Sequence, residues 1–173
     1  EGMSGAIAMA LKSALASGCG LITSAIPASI STNVMSAVLE SMSILLEEKE
    51  GHISKESLSI LQERIRNYTC ILIGCGIGRS EDISDLVKML YESEKPLIID
   101  ADGLFALKKH LKNRKNTILT PHLKEFSDLM DVPLQDVIEN TLFYVDEFTK
   151  KYPDITLVLK SETTIIACND TRY

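Results

Sequence analysis

The chain has 173 residues, 45% of them apolar and 24% charged, with a formal net charge of −6. These proportions suit one globular domain and exclude a disordered chain. The acidic balance, with no dense cluster of Lys and Arg, argues against a nucleic-acid partner.

The first segment, Ser4 to Ala16, is Ala-rich and stops at Ser17-Gly18, which predicts a helix. Apolar character runs on to Ile26, but Lys12, several Ser and two Gly interrupt it and no basic stretch precedes it. A buried helix followed by a weak strand at Gly20-Leu21-Ile22-Thr23 is therefore expected, and no membrane span. Glu47 to His52 reads as a charged surface connection. Ser54 to Asn67 carries Leu58, Leu61 and Ile65 at helical spacing, with Ser54 in the capping position. Cys70 to Ile73 is a strand candidate. Ser80 to Glu92 repeats the helical spacing with Ile83, Leu86, Val87 and Leu90, capped by Ser80. Pro96 to Ile99 is the next strand, followed by a short helix from Leu104 to Leu111 that Asp102 is placed to cap. The basic run Lys108 to Lys115 reads as a solvated helix end, each cation worth about 0.3–1 kcal/mol against the helix dipole. Thr117 to Leu119 is a strand, Leu134 to Lys151 one long helix, and Ile155 to Leu159 a strand.

The strand runs are nearly continuous in apolar residues, as expected where a parallel sheet is buried on both faces. Their alternation with helices predicts a three-layer αβα domain with a mainly parallel central sheet. The cysteines, Cys19, Cys70, Cys75 and Cys168, form no CxxC pair and have no His at ligand spacing. Cys70 and Cys168 read as small buried hydrophobes, and a reducing cytoplasm is expected.

Open parallel sheets bind ligands at the carboxyl ends of their strands. Four strands here end in polar or glycine-rich sequence. Gly74-Cys75-Gly76-Ile77-Gly78-Arg79 is either a tight structural turn or a backbone cradle for an anion, with Glu81 and Asp82 opposing a phosphate and Arg79 offsetting them. Asp100-Ala101-Asp102-Gly103 puts two carboxylates past a strand, to orient a hydroxyl, hold a hydrated Mg²⁺ or cap the next helix. Thr120-Pro121-His122-Leu123-Lys124-Glu125-Phe126 places His122 and Glu125 on one helix face, with Pro121 fixing the helix entry. On that reading His122→Ala leaves folding intact. Leu159-Lys160-Ser161-Glu162-Thr163-Thr164 is a surface hairpin or a phosphate-holding turn.

Together and in this order, these motifs resemble the ribokinase-like family of NAD(P)H-hydrate dehydratases. Gly5-Ala6 matches the family's helix start, and Ser17-Gly18-Cys19-Gly20-Leu21 its Ser-Gly-Ala-Gly-Leu segment. Gly74 to Arg79, Asp100-Ala101-Asp102-Gly103-Leu104, Thr120 to Phe126 and Leu159-Lys160 match the rest. Cys75 stands where the family often has Pro, and Ser161 where it has Gly. The resemblance implies dehydration of (S)-NAD(P)H hydrate back to NAD(P)H, driven by ADP or ATP with Mg²⁺. It places the hydrated cofactor on Ala6, Gly78 and His122, and the adenine nucleotide on Lys160, Ser161, Glu162, Thr163 and Thr164. Glu125 falls at a metal and phosphate position of related kinases. The family continues into a Gly-Gly-x-Gly-Asp segment bearing the catalytic Asp, and begins with a further strand before Gly5. Residues 1–173 are thus expected to be a single ribokinase-like domain incomplete at both ends, inactive by itself, from a cytoplasmic homo-oligomer. The competing expectations are a small-molecule kinase of the same fold, acting on a vitamin precursor or sugar, and a non-catalytic nucleotide-binding module.

Overall fold

The computed structural model describes residues 3–49 and 52–173. In chain order its elements are α1 (Ser4–Ala16), β1 (Thr23–Pro27), α2 (Ser31–Ala37), β2 (Met42–Leu46), β3 (Glu48–Lys49), β4 (His52–Ile53), α3 (Ser57–Arg64) and β5 (Ile71–Ile73). There follow α4 (Glu81–Glu92), β6 (Leu97–Ile99), α5 (Asp102–Leu107), β7 (Thr117–Leu119), α6 (Leu123–Met130), α7 (Leu134–Glu139), α8 (Thr141–Lys151), β8 (Ile155–Leu159), β9 (Ile165–Cys168) and β10 (Thr171–Arg172). The charged connection at Glu47 to His52 becomes the β3–β4 hairpin, whose Glu50 and Gly51 lie outside the described residues.

The main sheet has six strands in the order β10-β9-β8-β7-β6-β5. β5 to β8 run parallel, in a register that aligns Ile73, Ile99, Leu119 and Leu157. β9 and β10 add antiparallel at the β8 edge. One face is closed: Leu97, Ile99, Leu119, Ile155, Leu157 and Leu159 are buried there. They meet helices whose apolar residues recur at three and four, such as Ile83, Leu86, Val87 and Leu90 of α4. Phe126 of α6 and Phe148 of α8 meet edge to face at 5.8 Å. Burial of one such side chain stabilises the fold by about 1.5–3 kcal/mol.

The opposite face differs from the expectation of a sheet buried on both sides. Ile98, Ile118, Thr156 and Val158 are only half-buried, and Leu72 and Ile166 are 46% and 42% exposed. A separate parallel pair, β1–β2, stands outside the six-stranded sheet. There Ile26 packs with Ala8 and Leu11 of α1 and Val34 of α2, while Ala25, Ile44 and Leu46 turn to the larger core. No helix among the described residues is long and apolar enough to cross a membrane.

Several local expectations need correction. The expected strand at Gly20 to Thr23 forms later, at Thr23–Pro27. Ser54 does not cap α3, which starts at Ser57 behind Glu56. The segment 134–151 is two helices, because Asn140 takes a non-helical backbone with φ −129° and ψ 40°. Cys70 is exposed and Cys168 half-buried, since Cys70 precedes its strand instead of entering the core.

Candidate functional site

The four motifs leave the sheet side by side. Beyond the strands, the Asp100 N–H donates to Ile73 O (3.0 Å), the Thr120 N–H to Ile99 O (3.1 Å), and the Lys160 N–H to Pro121 O (2.8 Å). His122, three residues past β7, and Lys160, one past β8, form a parallel bridge. The ladder is thereby extended through the segments the sequence singled out, and their side chains share one rim.

The glycine loop owes its shape to close packing. Gly74 has φ +125°, and a Cβ there would fall 1.7 Å from Asp100 O, so only glycine fits. Gly76 lies against α1: an added Cβ would meet the Ala6 Cβ at 3.3 Å. Ala6 and the loop carrying Gly78 are therefore neighbours. The Gly78 N–H donates to Asp102 Oδ2 (3.1 Å), and Arg79 Nε to Asp102 Oδ1 (3.0 Å). Asp102 is the first residue of α5 and does not cap it; Ala101 occupies the capping position with φ +49°. The carboxylate faces the glycine loop instead. Burial, then the Asp100 carboxylate, pushes the Cys75 thiol up, which keeps it protonated and a poor nucleophile.

The other carboxylate of the turn, Asp100, works across strands. Lys160 Nζ donates to Asp100 Oδ1 at 2.7 Å, joining the end of β8 to that of β6 above β7. Ser161, Glu162, Thr163 and Thr164 form the exposed turn into β9, in which the Ser161 hydroxyl donates to Thr163 O at 2.7 Å.

His122 is the N-cap of α6, which corrects the expectation that Pro121 fixes the entry. His122 Nδ1 accepts the Glu125 N–H (3.2 Å), and Glu125 Oε2 accepts the His122 N–H (2.9 Å), a reciprocal capping box. Pro121 lies one residue outside, buried, where its carbonyl serves the ladder to Lys160. Nδ1 is thus an acceptor, so a neutral ring carries its proton on Nε2, on a side chain that is 54% exposed. Glu125 Oε1 lies 3.5 Å from Nε2.

Among the described residues, no three His, Cys, Asp or Glu side chains cluster as a metal cage. The donors fit Mg²⁺ in the manner in which that ion usually binds, through one or two carboxylates, waters and ligand phosphates. Glu125, with one oxygen committed to the cap, is the candidate. The sequence reading missed one feature of the rim: the Arg79 guanidinium stacks over the Phe105 ring at 4.3 Å. An exposed aromatic three residues after Asp102 in a short helix is the signal that could have revealed it.

Comparison with known proteins fits this geometry. Residues 1–172 match the family model described as NAD(P)H-hydrate dehydratase. A bifunctional NAD(P)H-hydrate repair enzyme of Moorella thermoacetica is 31% identical over 175 residues, covering 98% of this chain and 33% of that protein. A protein of Streptococcus mutans of solved structure is 26% identical with a TM-score of 0.82, covering 99% of this chain and 60% of that one. The ADP/ATP-dependent NAD(P)H-hydrate dehydratase of Bacillus subtilis, co-crystallized with ATP/Mg²⁺, has the same fold at a TM-score of 0.72 and 23% identity, over 97% of this chain and 57% of that one. The Escherichia coli phosphofructokinase-2 shares the fold more distantly, at a TM-score of 0.63. The chain spans about a third of the length of the curated repair enzymes that it matches. A ribokinase-like α/β fold and a family match along essentially its whole length together establish that this chain belongs to the NAD(P)H-hydrate dehydratases.

Proposed function

We propose that the protein restores NAD(P)H from (S)-NAD(P)H hydrate at the expense of ADP or ATP. One observation carries the reading: the glycine loop, the Asp100–Asp102 turn, His122 and Lys160 meet on a single rim. Ala6 and Gly78 offer a close-approach surface for the hydrated ring, and His122 a polar group beside it. The Nε2–H of a neutral His122 orients the substrate by donating a hydrogen bond. Lys160 and the 161–164 turn hold the adenine nucleotide at the other end.

The chemistry follows from the poor leaving ability of hydroxide. Transfer of a phosphoryl group from the nucleotide to the hydrate hydroxyl converts it to a phosphate ester. Loss of inorganic phosphate and a ring proton then forms the C=C bond of the dihydronicotinamide. Catalysis of this kind rests on positioning and charge stabilisation. Glu125 would hold Mg²⁺, which would supply neutralisation of phosphate charge when bound. A homo-oligomer in the cytoplasm belongs to the same proposal, supported by four unpaired cysteines and by the exposed apolar surface.

The test is incubation of the native, full-length protein with (S)-NADH hydrate, Mg²⁺ and either ADP or ATP, following the absorbance of the restored dihydronicotinamide. Turnover with one or both nucleotides is expected. No turnover with either, together with phosphate transfer to a vitamin alcohol or a sugar, would establish a kinase of the same fold instead. Nucleotide binding with no reaction at all would mark a non-catalytic module.

A further inference from the structure

We infer that Arg79 is an anion hook of the substrate pocket, whose exposed guanidinium edge takes a phosphate group of the hydrated dinucleotide. The inference rests on the dehydratase reading and adds a residue that the resemblance does not assign. Three observations support it. Arg79 directly follows Gly78, so it stands where the ligand approaches the loop. Its orientation is set in advance: Asp102 Oδ1 holds Nε at 3.0 Å and the Phe105 ring lies 4.3 Å beneath the guanidinium. Finally, the side chain is 59% exposed, and among the described residues neither Nη1 nor Nη2 has a partner.

A planar guanidinium bonded through Nε still presents donors along its Nη edge, in the geometry that matches phosphate. Ordering the side chain before binding removes much of the entropy that a mobile arginine would lose. Lys160, at the other end of the rim, makes the contrast clear. Its ammonium gives one donor to Asp100 and keeps two for a ligand phosphate, but as a point charge it lacks the planar fork of the arginine. The acidic residues that follow Arg79 offer less opposition than their sequence position suggests. Asp82 Oδ2 accepts the Lys55 N–H at 3.1 Å, in the loop before α3, and Asp102 is shared between Arg79 and the Gly78 N–H. Glu81 is the remaining nearby carboxylate, exposed in the first turn of α4.

A dinucleotide offers two sources of this chemistry, the pyrophosphate bridge and the 2′-phosphate of the NADPH form. The experiment measures steady-state kinetics of the full-length protein with (S)-NADH hydrate and (S)-NADPH hydrate at saturating nucleotide, comparing Arg79→Gln and Arg79→Lys with the unmodified protein. Arg79→Gln is expected to raise the hydrate KM about ten- to a hundred-fold, the range for loss of a charged hydrogen bond. The KM for the nucleotide stays unchanged. A rise with both hydrates identifies the pyrophosphate, and a rise with NADPH hydrate alone the 2′-phosphate. Arg79→Lys restores part of the affinity at low salt. A merely structural role for Arg79 would lower stability or kcat without this hydrate-selective, salt-dependent change in KM. Should Arg79→Gln fail to fold, Phe105→Leu removes only the stacking face and is expected to raise the hydrate KM several-fold. An unchanged hydrate KM in the folded variant overturns the inference and leaves the dehydratase reading standing. Absence of hydrate turnover by the unmodified protein overturns both.

Discussion

His122 caps a helix, and the proposed contact with the hydrate would be a second, separable role. The ring caps α6 through Nδ1, while Nε2 lies 3.5 Å from Glu125 Oε1 on a half-exposed side chain. Replacing a capping side chain with Ala costs about 0.5–2 kcal/mol. His122→Ala is therefore expected to lower the urea midpoint of unfolding as well as hydrate affinity, contrary to the reading in which Pro121 alone secures the helix. Asn is a strong N-cap residue, so His122→Asn should recover most of the stability without recovering hydrate binding. Equal stability of the Ala variant and the unmodified protein would show that the cap contributes nothing. The sequence could suggest His122 as a ligand group from its place after a strand. It gave no warning of the cap, because imidazole is an uncommon capping group and Pro121 offered a simpler account of the helix start.

At the level of elements, the strands of the parallel sheet were legible because their apolar runs are continuous and lie between good helix signals. β1, β2 and α2 were harder to read. Met42-Ser43-Ile44-Leu45-Leu46 has no clear alternation, and Ser31-Thr32-Asn33 is a poor helix start by propensity. The join between α7 and α8 was hidden because Val137, Ile138, Leu142, Phe143 and Val145 keep an apolar pattern across Asn140. Tertiary clamps were beyond the reach of periodicity altogether. Arg114, placed by sequence in a solvated basic run, donates to Tyr91 O, Lys95 O and Thr117 Oγ1, and also to Ser93 O. It ties the end of α4 to the start of β7. Tyr91 is buried in this clamp and donates its hydroxyl to Lys112 O at 2.5 Å. Burial pushes the phenol up from 10.0 to about 12. A group whose folded pKa is raised contributes stability that is complete below its unfolded pKa and is lost as pH rises toward the folded one. Stability is thus expected to fall between pH 10 and about 12 through Tyr91. Tyr91→Phe should be less stable at neutral pH, by about 1 kcal/mol for the lost hydrogen bond, yet show a flatter alkaline limb. Parallel alkaline limbs for the two proteins in urea unfolding would show that Tyr91 does not couple to folding.

At the scale of the whole chain, the two faces of the main sheet differ among the described residues. One face is closed by helices α4, α5, α6 and α8, whereas the other presents Leu72, Ile98, Ile118, Val158 and Ile166 in neighbouring strands with partial exposure. Leu72, Ile98 and Ile118 are register partners in turn, Val158 pairs with Ile166, and Thr156 joins the two groups, so their exposure adds along one face. Patches of this kind bind apolar probes, whereas isolated surface hydrophobes do not. The 173-residue chain is therefore expected to enhance the fluorescence of anilinonaphthalene sulfonate under native conditions while keeping a cooperative unfolding transition. The cooperative transition distinguishes a folded chain with an open face from a molten state, which would bind dye without one. Leu72→Thr combined with Ile166→Thr removes the two most exposed members and keeps residues that favour strands. Dye binding should fall in the double variant with little change in the unfolding midpoint. Undiminished dye binding there would locate the apolar surface elsewhere, with Leu39 and Leu21 the next candidates at 84% exposure each.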